Sequence, residues 1–228
     1  MRRAAAGAVG VLLLGASLTV AQIPPGPEDL QRYRGLHAAA ARDDAVEVAR
    51  LLATGANAEA RDGHGRTALH VAAFTSHAAA ARALAAGGAQ ANALDAQRYD
   101  IVTIAAVRND VAMLRLALTL GTSPRNITSP YEGTALIAAA HLGHDEVVRE
   151  LIRAGAPLDH VNNLGWTALL EAVILGDGGP SHVAVLRDLV RAGANHALPD
   201  RQGVSALEHA RRRGYVEMVA ILEAARRR

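Results

Sequence analysis

The sequence contains no cysteine and no lysine, and only 3% of its 228 residues are aromatic. Without cysteine, the chain can form no disulfide, thiolate metal site, cysteine nucleophile or cysteine-linked lipid anchor. Without lysine, it cannot contain the Gly-Lys-Ser/Thr of a phosphate-binding loop. Half of the residues are hydrophobic, so alanine, leucine and valine must fill the core. Such a composition favours closely stacked helices over an all-β barrel or sandwich.

An excess of positive charge is also lacking. All 24 basic residues are arginines, and two of them, Arg2 and Arg3, lie in a segment that we expect to be removed. The rest of the chain has 22 arginines against 22 acidic residues. Because proteins that bind nucleic acid need surplus positive charge to contact phosphates, we expect no nucleic-acid partner.

Residues 1–21 have the pattern of a secretory signal peptide. A short basic start precedes an apolar run over residues 4–20, and the small residues Thr19 and Ala21 form a cleavage site before Gln22. The competing interpretation is an uncleaved membrane anchor, for which the run is at the short end. Cleavage predicts a periplasmic protein with no membrane span after signal removal; a secreted or N-terminally membrane-anchored protein is the alternative.

The rest of the chain is built from units of about 33 residues. An apolar residue opens an alanine-rich run once per unit, at Leu36, Leu69, Val102, Leu136, Leu169 and Leu207. A glycine follows a second apolar stretch with the same spacing, at Gly55, Gly88, Gly121, Gly155 and Gly193. Each unit therefore predicts two short helices ended by glycine. Such short helices become stable only by stacking on their neighbours.

The sequence GRTALHVAA at residues 65–73 resembles the opening motif of ankyrin repeats, with Ala68 where proline is usual. GWTAL at residues 165–169 repeats this motif, and residues 143–156 resemble the second helix and closing Gly-Ala of a repeat. The resemblance covers residues 33–228. It implies an all-α ankyrin-repeat solenoid of about six helix-turn-helix repeats with β-hairpin-like turns. The repeats are expected at about residues 33–62, 63–95, 96–130, 131–162, 163–200 and 201–228.

Three departures from the regular repeat lead to local predictions. Residues 22–32 are predicted to be an extended linker, because the three prolines near its start cannot join a helix. The third unit lacks the opening motif at residues 98–102, so its turn is expected to be the least regular. Residues 176–181 are an insertion between the two helices of the fifth unit. Their three glycines and one proline predict a defined or mobile loop rather than a longer helix.

Candidate metal and catalytic sites lack the residues that these chemistries need. His141 and His144 are close in sequence, but no third or fourth ligand is recognisable. Asp177 is the single carboxylate of the glycine-rich insertion, which is too few for a calcium loop. No Gly-x-Ser-x-Gly nucleophile motif is present. We therefore expect no metal, no cofactor and no enzymatic activity. The resemblance implies that His37 and His70 form structural hydrogen bonds between repeats.

The resemblance also implies that another protein binds to the concave face, formed by the turns and the exposed side of each first helix. An apolar stripe and aromatic turn tips on this face would mark an interaction surface. These candidate partner-binding residues are Val71, Phe74, Tyr99, Ile104, Val107, Tyr131, Leu142, Trp166, Ile174 and Leu175. The alternative is that neighbouring turns bury them as extra core. For Trp166, partner contact and packing against the adjacent turn are equally supported.

Together these features predict a monomeric, exported and non-catalytic ankyrin-repeat module that mediates protein–protein interaction in the bacterial periplasm. The alanine-rich composition, with arginine as its only basic residue apart from histidine, favours a GC-rich bacterial genome. Three alternatives for its role stay open. They are a secreted effector that binds a host protein, an immunity protein that neutralises a toxin, and an accessory factor in peroxide defence.

Overall fold

The computed structural model describes residues 22–227, and the predicted signal peptide lies outside this range. In the described range the chain forms helices and no strand. The helices are α1 (Pro27–Arg32), α2 (Gly35–Ala41), α3 (Ala45–Ala53), α4 (Ala68–Phe74), α5 (Ala78–Ala86), α6 (Ile101–Val107), α7 (Val111–Thr119), α8 (Ala135–Leu142), α9 (Asp145–Arg153), α10 (Ala168–Ile174), α11 (Pro180–Arg191), α12 (Ala206–Arg213) and α13 (Val216–Arg226). From α2 onward they form six consecutive pairs, which confirms the predicted all-α solenoid.

Local signals determine where these short helices begin and end. Asp100 Oδ1 accepts the N–H of Thr103 at 2.7 Å and caps α6, one of several first helices with a side-chain cap. Each of the first five pairs is followed by a glycine with φ between 82° and 94°, at Gly55, Gly88, Gly121, Gly155 and Gly193. Side chains with a Cβ are strained in this conformation, so the recurring glycine is needed to reverse the chain.

The first helices stack in chain order, α2, α4, α6, α8, α10 and α12, and each second helix packs against the first helix of its own unit. All of α4 is buried, as are residues 101–106 of α6 and 135–140 of α8. Many of these residues are alanines, whose small side chains let the helices approach closely. One hydrophobic cluster therefore runs through all six pairs, as expected for a stack in which each unit contacts its neighbours.

Most opening turns, which precede the first helices, are organised by one aspartate or asparagine. Backbone N–H groups two and four residues further on donate to Oδ1 of Asp62, Asp95, Asn162 and Asp200. The prediction that the third turn is the least regular is wrong, because Arg98 adopts a φ of 66° where Gly65 has 70°. The irregular turn is the fourth. It contains one extra residue and is closed by pairing between Thr128 and Gly133.

The insertion in the fifth unit is only partly a loop. Helix α11 has 12 residues, whereas α5, α7 and α9 have 9, so the prediction that the insertion does not lengthen a helix is wrong. Pro180 can begin α11 because the first helical position needs no N–H donor. The remaining loop is fixed by its contacts. The Tyr215 hydroxyl donates to the Gly176 carbonyl at 2.9 Å, and the His182 ring lies 2.9 Å from the Asp177 carboxylate.

The segment predicted to be a linker is docked on the second unit. Pro27 is the first residue of α1, so the prediction that these prolines cannot join a helix is wrong at that position. Arg66 fixes the docking, and its side chain is fully buried. Its guanidinium group contacts the carboxylates of Asp29 and Asp62, both at 2.7 Å, and donates to the carbonyl of Ile23 at 2.9 Å.

The charges around Arg66 are mutually satisfied. The Tyr33 hydroxyl donates to Asp62 at 2.7 Å. A hydrogen bond from Arg66 holds the pKa of Asp29 below its ordinary value. Burial alone would raise the pKa of Asp62, but the hydrogen bonds from Tyr33 and Arg66 outweigh it and lower that pKa. The amino-terminal segment is therefore part of the folded unit, joined to it by a buried polar network.

His37 and His70 connect neighbouring units through backbone carbonyls, which confirms their expected structural role. His37 Nε2 lies 2.9 Å from the carbonyl of Arg66, and His70 Nε2 lies 3.1 Å from that of Tyr99. The other ring nitrogen of His70 accepts the N–H of Thr67. This arrangement requires a neutral imidazole, and burial lowers the pKa of His70 to about 4.

Acidification is expected to destabilise the protein through His70. Its pKa is about 4 in the folded state against 6.5 for a free histidine, so the unfolded chain binds this proton more tightly. Stability is therefore fully present above pH 6.5 and falls as the pH drops towards 4. Between pH 7 and pH 5 the His70 contribution should be about 2 kcal/mol. Urea unfolding at both pH values should show this loss in the wild type and not in His70→Gln.

A matched control for this measurement is His64→Gln. The His64 side chain is exposed at the tip of a turn, so this variant should keep the wild-type pH dependence. All other titrating groups contribute to both proteins and cancel in the comparison. The same pH dependence in the wild type and in His70→Gln would contradict the assignment of a neutral, buried His70.

Candidate functional site

Four of the ten candidate partner-binding residues are buried. Val71, Phe74, Tyr99 and Ile104 expose 4% of their surface or less. Side chains with so little accessible surface cannot contact a partner in the folded protein. The expectation of an exposed stripe is therefore wrong at these four positions, and the alternative, burial as extra core, applies to them.

The amino-terminal segment is bonded to both the second and the third unit. The Ile23 carbonyl accepts a hydrogen bond from Arg66 in the second unit, and the side-chain amide of Gln22 donates to the carbonyl of Thr103 in the third unit at 3.2 Å. The segment therefore joins the two units that contain the four buried candidates.

The other six candidates lie in the third to fifth units and are at least partly accessible. Leu142 is exposed to 38%, and five side chains are half-buried: Val107, Tyr131, Trp166, Ile174 and Leu175. We call these six residues the open patch. Trp166 and Ile174 also pack against the hydrophobic cluster, so Trp166 has a packing role whether or not it contacts a partner. The partner-binding role of the patch stays a prediction.

A pocket opens between the third, fourth and fifth units, beside the open patch. The depression encloses about 410 Å³, counting the part open to solvent. The walls come from α6, α8, α10 and the fourth and fifth opening turns. They include Thr103, Thr128, Tyr131, Ile137, Ala138, His141, Asn162, Leu164, Glu171 and Leu175. Tyr131 and Leu175 belong to both the pocket and the open patch.

Glu171, on α10, provides the carboxylate of this pocket and is only 3% exposed. Its Oε1 accepts a hydrogen bond from Asn162 Nδ2 at 2.8 Å. Its Oε2 lies 3.3 Å from Nδ1 of His141, within the reach of an ion pair. The two groups are not aligned for a hydrogen bond, and within residues 22–227 no donor satisfies this oxygen. Because an unsatisfied buried acceptor is costly, such an atom is a candidate point of ligand recognition.

The sixth unit contains the same pair of positions with different chemistry. His209 and Asp200 correspond to Glu171 and Asn162, and His209 Nε2 lies 2.7 Å from Asp200 Oδ2. An aspartate in the fifth unit would bring two carboxylates together, whereas the amide of Asn162 can donate. The sequence analysis did not select Glu171 or Asn162. The available signal was an asparagine in place of the usual turn aspartate, nine residues before a glutamate.

The histidines and acids considered as metal ligands do not come together. His144 Nδ1 lies 2.9 Å from the carbonyl of Ala106, whereas His141 faces Glu171. Asp177 accepts the N–H of Gly179 within its own loop. Over residues 22–227, no three side chains of a metal-binding type form a group that could hold an ion. None of the helices described in that range is long and apolar enough to span a membrane.

Comparison with known proteins gives a family match over most of the chain. The family model described as "Ankyrin repeats (3 copies)" matches residues 11–95 and 102–196. Among curated proteins, the putative ankyrin repeat protein YahD of Escherichia coli strain K12 is 36% identical over 118 residues, which is 51% of this chain. The match spans 58% of the length of YahD.

Solved structures agree with this match. The crystal structure of an ankyrin repeat domain from Acinetobacter baumannii AYE has a TM-score of 0.79 and 44% sequence identity, over 83% of this chain and 96% of that domain. A chain in the complex of the predatory endopeptidase Bd0816 from Bdellovibrio bacteriovorus with the immunity protein Bd3460 has a TM-score of 0.69, over 84% of this chain and 98% of that one. At 18% identity, the second likeness shows the fold alone.

Proposed function

This chain belongs to the ankyrin-repeat family, and from that premise we propose that it binds another protein through the open patch. The ankyrin-repeat fold is typically a non-catalytic interaction module, and the proposed role includes no enzymatic activity. The stacked helices form the binding surface before a partner arrives. Binding to such a surface loses little conformational entropy, which favours affinity.

The observation that carries the proposal is an accessible apolar surface beside a pocket with a buried carboxylate. Leu142 is exposed, and Tyr131 and Leu175 form part of the pocket that contains Glu171. Aromatic and large apolar side chains at desolvated pockets are typical of the parts of protein interfaces that contribute most binding energy. Because the other four candidate residues are buried, the proposed interface is limited to the six accessible candidates, which lie in the third to fifth units.

We also propose that the protein acts in the periplasm. The support for this location is the signal-peptide pattern of residues 1–21, which lie outside the described range. Cleavage before Gln22 would leave the docked segment at the start of the mature chain. Intact-mass measurement of the protein from a periplasmic extract identifies the first residue directly.

Affinity purification from the periplasmic fraction, with quantitative mass spectrometry, tests the binding surface. The variant bait carries two substitutions in the open patch. Tyr131→Ala removes an aromatic side chain, and Leu142→Arg replaces an apolar side chain by a charged one. This double variant is expected to capture at least tenfold less of the protein that the wild type captures. The matched control, Val216→Ala with Val46→Arg, changes two side chains that are 80% and 82% exposed on second helices and should capture the wild-type amount.

Circular dichroism establishes that both double variants are folded before capture is compared. Capture of the same partner by all three proteins would contradict the proposal, since the open patch would then contribute nothing. Equal loss in the patch variant and in the control would also contradict it, because the interface would not be confined to the turn-side face.

The proposal names a protein partner and the surface that receives it. The likeness to the Bdellovibrio bacteriovorus complex concerns the fold, so it carries no argument for an immunity role.

A further inference from the structure

We propose that the pocket at Glu171 receives the ammonium group of a lysine side chain from the partner protein. This inference rests on the proposed function, because it names the chemistry by which the partner is recognised. It follows from the unsatisfied carboxylate oxygen, from the bond that already occupies the other oxygen, from the apolar walls of the pocket and from the composition of the chain.

The unsatisfied oxygen requires a hydrogen-bond donor. Glu171 Oε1 is already bonded to Asn162, whereas Oε2 accepts no hydrogen bond among the described residues. The nearest donor atom, His141 Nδ1, lies 3.3 Å away and is not aligned for one. The two threonine hydroxyls of the pocket do not supply one, because Thr103 Oγ1 and Thr128 Oγ1 are bonded to each other at 3.0 Å. A cationic donor satisfies the hydrogen-bonding capacity and the charge of this oxygen together, and charge-assisted hydrogen bonds are the stronger kind.

The number of acceptors that the carboxylate offers favours an ammonium over a guanidinium group. Glu171 Oε1 is already bonded to Asn162 at 2.8 Å, which leaves Oε2 for a ligand. A guanidinium binds a carboxylate best as a rigid fork that contacts both oxygens. An ammonium is a compact point charge that needs one acceptor.

Apolar side chains can cover the stem of the incoming residue. Ile137, Leu164 and Leu175 line the pocket together with its polar groups. Lysine commonly buries its methylene chain along such apolar surface while its charged end reaches a polar partner. The pocket thus combines walls for the stem with an acceptor for the head.

A lysine that occupies the pocket must come from another molecule. The chain contains no lysine, so neither this molecule nor a second copy of it can supply this side chain. Tyr131 and Leu175 belong to both the pocket and the open patch, so the patch would contact the partner around the lysine. Such surrounding contacts exclude water from the centre of an interface.

Titration with n-butylammonium chloride tests the inference without knowledge of the partner. The readout is the side-chain amide signal of Asn162 in ¹H–¹⁵N spectra at constant ionic strength. The wild type is expected to show a saturable shift at millimolar concentrations, with n-butylguanidinium binding at least fivefold more weakly and n-butanol giving no saturable shift. Equal binding of ammonium and guanidinium, or no saturable shift with ammonium, would overturn the inference.

Glu171→Gln separates a binding role from a structural one. The glutamine side-chain oxygen can still accept from Asn162, while the charge is removed. This variant is expected to bind n-butylammonium at least tenfold more weakly and to keep or raise its melting temperature, because an unsatisfied buried charge is lost. The matched control, Glu150→Gln, changes a carboxylate held by Arg115 at 2.7 Å on another face and should bind as the wild type does.

A lower melting temperature with unchanged ammonium binding in Glu171→Gln would assign Glu171 a structural role and overturn the inference. If Glu171→Gln does not fold, the inference is still tested by comparing the binding of n-butylammonium, n-butylguanidinium and n-butanol to the wild type. Failure of ammonium binding is also distinct from failure of the proposed function. If only the ammonium inference fails, the open-patch double variant would still capture less of the partner than the wild type, and the control double variant would capture the wild-type amount.

Discussion

Replacing Leu69 by alanine is expected to lower the free energy of unfolding by about 2–5 kcal/mol. Leu69 lies in α4, is 1% exposed and belongs to the hydrophobic cluster that joins the repeats. The shortened side chain loses its buried contacts and leaves a cavity, because helices α2 and α6 hold α4 from both sides and prevent collapse. Urea unfolding followed by circular dichroism measures the loss.

Leu142→Ala is the matched control for Leu69→Ala. It makes the same chemical change at a side chain that is 38% exposed, and it should cost about 0.5 kcal/mol, as at other surface sites. A similarly small loss in Leu69→Ala would mean that the once-per-unit leucine does not face the neighbouring repeats. The description of the molecule as a continuous stack would then be wrong.

Replacing Arg66 by methionine is expected to cost about 3–5 kcal/mol. Methionine fills much of the same space but leaves the carboxylates of Asp29 and Asp62 without their buried cation. It also removes the donor to the carbonyl of Ile23, so that the amino-terminal segment loses its attachment to the second unit. Urea unfolding gives the global loss, and amide hydrogen exchange at Leu30 and Tyr33 should become faster if the segment detaches.

Arg32→Met is the corresponding control. Arg32 pairs with Glu28 on the surface, and both side chains are at least 80% exposed, so its removal should change stability by about 0.5 kcal/mol or less. Adding Asp62→Asn to Arg66→Met should recover part of the stability, because one unpaired buried charge is removed. Unchanged hydrogen exchange at Leu30 in Arg66→Met would contradict the role of Arg66 in docking the segment.

The helices and their stacking could be predicted because they depend on residues that recur once per unit. Leu69, Leu136 and Leu169 occupy equivalent positions, and each exposes 2% or less. The recurring glycines follow the second helices with the expected positive φ. Repetition made these signals recognisable, since the same local chemistry appears five or six times in one chain.

Features that depend on a single contact between distant residues could not be predicted in this way. The hydrogen bond between Gln22 and Thr103 joins residues 81 positions apart, and no local pattern indicates that the first segment is attached to the second and third units. The prolines of the segment indicated extended chain, although proline is also well suited to the first position of a helix.

The sequence analysis selected a face of the repeat stack and not the pocket, and the binding role of that face stays a prediction. The open patch retains six of the ten residues selected from the repeat positions. Glu171 was recognisable as a residue of this face, but its burial, its bond to Asn162 and its unsatisfied oxygen depend on the fourth and fifth turns. The fourth turn carries the extra residue of this chain, so its shape follows from packing rather than from the repeat pattern.

The attachment of the first segment makes the two ends of the molecule unequal. A terminal unit of a linear array normally touches one neighbour and detaches first. At the amino end of residues 22–227, Arg66 and Thr103 hold the first segment on two successive units, whereas at the carboxyl end of that range the pair α12 and α13 packs on α10 and α11. Within this range, thermal unravelling would therefore begin at α12 and α13, and the third to fifth units would keep their shape after that pair has frayed.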